Sequence, residues 1–109
     1  MKISIFFGVL LMSSIVAAEK AKEVQVQHHE QLKPLDAATL NLVIGGTYEH
    51  YSGKRYQIID LARHTESNEG LVIYKALYDG NIWARPISMF IETVILNGVV
   101  QPRFRLVAQ

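Results

Sequence analysis

Turn signals recur at short intervals through the second half of this 109-residue chain, and they divide it into strand-length pieces. Ser52-Gly53, Asp79-Gly80 and Asn97-Gly98 separate short runs of aromatic and β-branched residues. Such punctuation leaves no room for a helix of ordinary length and predicts strands joined by tight turns. "TYEHY" (47–51) and "RYQIIDLAR" (55–63) are the first two, followed by a polar loop, "HTESNEG" (64–70). "LVIYKALY" (71–78) and "NIWAR" (81–85) flank Asp79-Gly80, and Pro86 ends the second because it cannot donate to a ladder. "PISMF" (86–90) fits one helical turn opening on proline. "ETVIL" (92–96), Asn97-Gly98 and "VVQPRFRLV" (99–107) form the clearest hairpin.

A flat sheet of this size cannot bury both faces, but a twisted sheet curled on itself can. The expectation is therefore all-β: a small, partly open, SH3-like barrel of five to six short antiparallel strands with one short helical turn. So small a core is only marginally stable alone, which makes a homodimer an option.

The N-terminus has a different texture. Met1-Lys2 is a short basic start, Ile3–Val16 carries no charge, and Val16-Ala17-Ala18 precedes polar Glu19-Lys20. That is the layout of a secretory signal peptide over 1–18. Its apolar run is too short for a comfortable membrane span, and no span remains after cleavage. The expected location is outside the cytoplasm, in periplasm or medium. Residues 19–42 read as a polar, flexible linker containing Pro34 and the adjacent pair His28-His29, with "LDAATLNL" (35–42) able to form one helical turn capped by Asp36. The small β-domain then occupies 43–109.

Cleavage after Ala18 removes Lys2 and leaves ten basic and ten acidic residues. A balanced chain has no global pull toward nucleic acid, and the basic residues of the β-domain are interleaved with acidic ones. The absence of cysteine excludes a disulfide, a thiolate metal site and a cysteine nucleophile. No third ligand stands at metal-site spacing from His28-His29, so neither metal nor cofactor is implied.

If Asp79-Gly80 is a two-residue type I′ loop, Tyr74 faces Arg85 and Ala76 faces Trp83. Tyr74, Ala76, Tyr78, Trp83 and Arg85 then share one face of the sheet, because cross-strand partners do. Ile73, Leu77, Ile82 and Ala84 share the other, with Lys75. A three-residue loop would set Lys75 against Arg85, which like charges disfavour. This register assigns the aliphatic face to the core and leaves an aromatic face carrying an arginine. Rings with polar tips beside a guanidinium can hold a sugar, a peptide or a base. The candidate binding residues are Tyr74, Tyr78, Trp83 and Arg85, with His50 and His64 at the rim. The alternative is that these rings complete the core of a small barrel. In "TYEHYSGKRYQ" (47–57), Tyr48 and His50 share one face, and Tyr51 and Tyr56 are read as a cross-strand pair.

The chain also resembles a family of small bacterial domains catalogued as domain of unknown function 1653. The pattern runs through "GTYEHYSGKRYQII", "ARHTESNEGLVIYKALY", "IWARPISMFIETV" and "GVVQPRF", about residues 45–105. The resemblance implies no activity and carries over no catalytic residue. It does single out polar residues that a core does not explain: His50, Arg63-His64, Glu66, Glu69, Arg85, Glu92 and Arg103. A signal sequence and linker depart from the family's bare domain.

Three functions follow as candidates. One is a non-enzymatic binding module for an envelope peptide, glycan or protein. The second is a small hydrolase-like enzyme with His50 or His64 as base and Glu66 or Glu69 as its carboxylate partner. No nucleophile, zinc-protease or phosphate-loop motif accompanies them. The third is a structural domain whose aromatic face forms a homodimer.

Overall fold

The structure, a computed structural model, describes residues 21–24 and 32–109. The signal-peptide segment, residues 19–20 and 25–31 of the polar segment, and with them His28-His29, lie outside the described residues. Seven strands and one helical turn follow in chain order: β1 (Thr47–His50), β2 (Arg55–Arg63), β3 (Gly70–Ala76), β4 (Ile82–Pro86), α1 (Ile87–Phe90), β5 (Thr93–Leu96), β6 (Val99–Pro102) and β7 (Phe104–Ala108). The strands form a five-stranded antiparallel sheet, ordered β4-β3-β2-β1-β7, and a two-stranded β5-β6 sheet. The fold is all-β, small and open: β4 and β7 remain edges, and no barrel closes.

The turns follow their residues. Asn97 (φ 51°) and Gly98 (φ 77°) both take the left-handed conformation of a two-residue hairpin loop. Gly53 (φ 95°) closes a three-residue turn between β1 and β2, where His50 N–H donates to the Lys54 carbonyl and Gly53 N–H to the His50 carbonyl. His50 therefore sits across from Lys54. Tyr56 pairs with Tyr48, not with Tyr51, which is an exposed turn residue.

Seven strands replace the expected five to six because "VVQPRFRLV" breaks at Arg103. Its backbone N–H donates to the Glu92 carbonyl at the foot of β5, while its own carbonyl accepts from Tyr51 N–H beyond β1. One residue thus passes the chain from the small sheet to the large one. Ile59 supplies a second irregularity. Ile58 pairs with Tyr74 and Asp60 with Ile73, so Ile59 is bulged and β2 bends there.

The β3-β4 register corrects the expected one by two residues. Tyr74 faces Trp83, Val72 faces Arg85 and Lys75 faces Ile82. Asp79-Gly80 belongs to a five-residue loop, Leu77–Asn81, whose Asp79 carboxylate accepts from Asn81 N–H and Asn81 Nδ2 at 2.9 Å each. A shift of two preserves which residues share a face. The assignment of faces to core and solvent, however, is reversed. Val72, Tyr74 and Ala76 are buried, whereas Ile82 is 63% exposed and Leu77 49%.

Helical turn α1 and strand β7 explain the reversal. They bring Ile87, Phe90 and Phe104 onto the aromatic face, where they join Leu42, Tyr48, Ile58, Val72 and Tyr74. Phe90 and Phe104 stack nearly parallel at 4.1 Å, and Tyr48 and Tyr74 meet Phe90 edge-on at 5.6 and 5.5 Å. Each buried large side chain contributes on the order of 1.5–3 kcal/mol. Residues before β1 join them: Leu35, Ala37 and Leu40 pack on the core, in a turn that Asp36 caps through Ala38 N–H (3.2 Å) and Thr39 Oγ1 (2.6 Å). Gly70 passes so close under α1 that a Cβ there would lie 2.7 Å from Ile87 Cδ1.

Candidate functional site

The rung that pairs Tyr74 with Trp83 sets an aromatic wall at the sheet's β4 edge. Arg85 follows on the same face of β4, opposite Val72. Tyr56 enters from β2, where it pairs with Ala76, and Tyr78 closes the group from the β3-β4 loop. Tyr56, Tyr74, Tyr78, Trp83 and Arg85 line an open cavity of about 200 Å³.

Its geometry is aromatic and cationic. Tyr56 stands edge-on to Tyr74 at 5.4 Å and to Tyr78 at 5.9 Å. Arg85 Nε donates to the Tyr74 hydroxyl at 3.2 Å, and its guanidinium lies 5.7 Å from the centre of the Phe104 ring. Lys54 Nζ sits 4.5 Å from the centre of the Tyr78 ring, at the cavity's margin. No carboxylate lines the cavity, and Arg85 forms no ion pair with any described residue. Burial, with the Tyr78 hydroxyl beside it, pushes the Tyr56 phenol up to about 12. Tyr56 therefore stays protonated across the physiological range and is a hydrogen-bonding group, not a base.

Four of the six residues expected to bind converge here: Tyr74, Tyr78, Trp83 and Arg85. Their exposures differ. Tyr74 is buried and belongs to the core, as the alternative reading of the face held, while Trp83 and Tyr78 are about half exposed. His50 lies one ring behind, 5.0 Å from Phe104 and 6.5 Å from Tyr56. Its Nδ1 accepts from Ser52 N–H at 3.1 Å and lies 2.9 Å from Ser52 Oγ, which leaves the proton on Nε2. Burial, then the charges of Arg103 and Arg85, hold His50 below its ordinary range.

His64 is elsewhere. It lies at the far end of β2, and its Nδ1 accepts the backbone N–H groups of Glu66 (3.1 Å) and Ser67 (3.3 Å), shaping the β2-β3 loop. His50 and His64 are separated by nearly the length of β2, roughly 25 Å at the rise of a strand. His50 is therefore far from Glu66 and Glu69, which share the β2-β3 loop with His64; there His64 Nδ1 is taken up by backbone N–H groups. Among the described residues no group of three metal-capable side chains occurs.

Arg63, Glu92 and Arg103 of the pattern serve the architecture. Arg63 Nη1 and Nη2 donate to the carbonyls of Asn68 (2.8 Å) and Lys33 (2.7 Å), tying the incoming segment to the β2-β3 loop. Arg103 Nε donates to Glu92 Oε1 at 3.0 Å, and its Nη2 reaches the same oxygen. Sequence reasoning missed Tyr56 and Lys54 as members of the site. Their signal was present in "SGKRYQ" (52–57), but it is readable only once the three-residue turn is known.

The family model described as "Protein of unknown function (DUF1653)" matches residues 46–106. The chain belongs to this family. The DUF1653 segment spans every strand that builds the cavity. The chain is also similar to a crystal structure of a DUF1653 protein from Bordetella bronchiseptica, at 33% identity and a TM-score of 0.57, covering 63% of this chain and 92% of that one. No curated protein matches the chain.

Proposed function

We propose that this DUF1653 protein is an exported, non-enzymatic binding module of the bacterial envelope that grips its ligand in the cavity of Tyr56, Tyr78, Trp83 and Arg85. One observation carries the reading. A half-buried guanidinium stands among aromatic rings with no carboxylate beside it, and two of those rings are about half exposed. Buried charge is ordinarily paired, so an arginine left open beside exposed rings fits a ligand's place better than a structural one. The envelope part of the proposal rests on the layout of residues 1–18.

Two measurements test it. The intact mass of protein recovered from expressing cells is expected to lack residues 1–18; a full-length mass overturns export. Amide NMR of the same protein, titrated with cell-wall fragments and short peptides, is expected to move Trp83, Tyr78 and Arg85 together. Shifts confined to other surfaces overturn the site.

A second reading, a homodimerising domain, is favoured by the β5-β6 hairpin. Its strands pair only with each other, residues 93–102 carry no charge, and Ile95, Val99 and Val100 are 74%, 59% and 65% exposed. Unguarded edges of this kind pair readily with a second copy. A sedimentation mass that doubles with concentration, and that Ile95→Lys holds at the monomer, supports it.

A further inference from the structure

We infer that the cavity is a carboxylate site: it takes a small, singly charged carboxylate borne on a planar or apolar body. The inference rests on the binding-module reading and names the ligand class of that site.

Four features point to it. The Tyr74 hydroxyl takes Arg85 Nε, and the two terminal nitrogens have no hydrogen-bond partner among the described residues. An arginine held this way presents its terminal N–H groups end-on, as a fork that matches the two oxygens of a carboxylate. Secondly, the guanidinium lies against Phe104 and is walled by Tyr56, Tyr74 and Trp83, a setting that excludes water on several sides. Charge interactions are stronger there than in open solvent. Thirdly, the charge is complementary to an anion. Arg85 and Lys54 are the cations at the cavity and its margin, and no carboxylate lines it. Lastly, about 200 Å³ open to solvent admits one ring-sized group, and the half-exposed Trp83 and Tyr78 offer it flat apolar faces. A single guanidinium in the wall suits one negative charge. A phosphate dianion calls for more donors than the cavity presents.

The test is a titration of ¹⁵N-labelled protein expressed from the full chain, with N-acetyl-phenylalanine, its uncharged amide and phenyl phosphate as probes. The expected result is that the acid shifts the Trp83 indole and Arg85 Nε–H resonances, and that the amide binds at least about tenfold more weakly, as loss of a charge-assisted pair implies. Arg85→Gln is expected to erase the difference between acid and amide. Trp83→Ala, at an exposed position, should weaken both alike and leave their ratio standing, which keeps the test valid if the arginine variant fails to fold. Equal binding of acid and amide, or tighter binding of phenyl phosphate, overturns the carboxylate assignment and leaves the binding module intact. Silence of Trp83 to these probes, with a response there to a neutral glycan, does the same. Silence of Trp83 to every probe and to the envelope fragments overturns both.

Discussion

Arg103 and Arg85 each lie beside an aromatic ring, and they have opposite fates. Arg103 gives its side chain to Glu92, lies 6.0 Å from the centre of the Tyr51 ring, and uses its backbone to switch the chain between sheets. Its backbone and two of its three guanidinium nitrogens are engaged by the fold. Arg85 gives one N–H to Tyr74 and otherwise faces a cavity. The pairing of charge separates the two: the neutralised arginine holds strands in place, and the un-neutralised one is the arginine of the proposed site.

The sharpest way to break this comparison is to remove what lies under the open arginine. Phe104→Ala deletes the ring beneath Arg85 and its stack on Phe90, and is expected to lower stability by about 3–5 kcal/mol in chemical unfolding. Next comes the paired arginine. Glu92→Gln leaves the partly buried Arg103 guanidinium without its counter-charge and is expected to cost about 1–3 kcal/mol, with ligand shifts at Trp83 unchanged. Arg85→Gln should show the reverse pattern: about 1 kcal/mol or less in stability, for the lost Tyr74 bond, and loss of anion response in the NMR titration. A stability loss at Arg85 matching that at Glu92 would erase the distinction.

A smaller effect concerns His50, which feels both arginines. Its folded-state pKa is held below the ordinary 6.5, so between those two values the unfolded chain binds more protons than the folded one. Stability contributed by neutral His50 is fully present above 6.5 and is lost as pH falls through the window beneath it. His50→Asn places an amide oxygen where Nδ1 accepts from Ser52 N–H, and is expected to flatten that pH slope. An unchanged slope in paired denaturation curves would show that neither burial nor the two arginines hold His50 below its ordinary range. The smallest effect is Trp83→Ala, within about 0.5 kcal/mol of wild type, because the ring is half exposed.

The same contrast marks how far the chain could be read before its fold was known. Local chemistry was legible. Strand β2 is Arg55–Arg63 as its residues indicate, Asn97-Gly98 makes its hairpin turn, and Pro86 opens the single helical turn. The parity of Tyr74, Trp83 and Arg85 was legible too, because alternation along a strand survives an even slip in register. That parity groups three of the candidate residues; Tyr78, in the β3-β4 loop, lies outside it.

What the amino-acid sequence determined by itself is therefore the all-β class, the Asn97-Gly98 turn, and the set of strand side chains that share each face. Tertiary structure decided which face became the interior. "NIWAR" and "LVIYKALY" offer an aliphatic side and an aromatic side, and only the arrival of Phe90 from α1 and Phe104 from β7 makes the aromatic one the core. Tertiary structure also decided that Arg103 would find Glu92 while Arg85 would find none. Turn and strand preferences act over a few residues, whereas burial and ion pairing depend on groups that approach from distant parts of the chain.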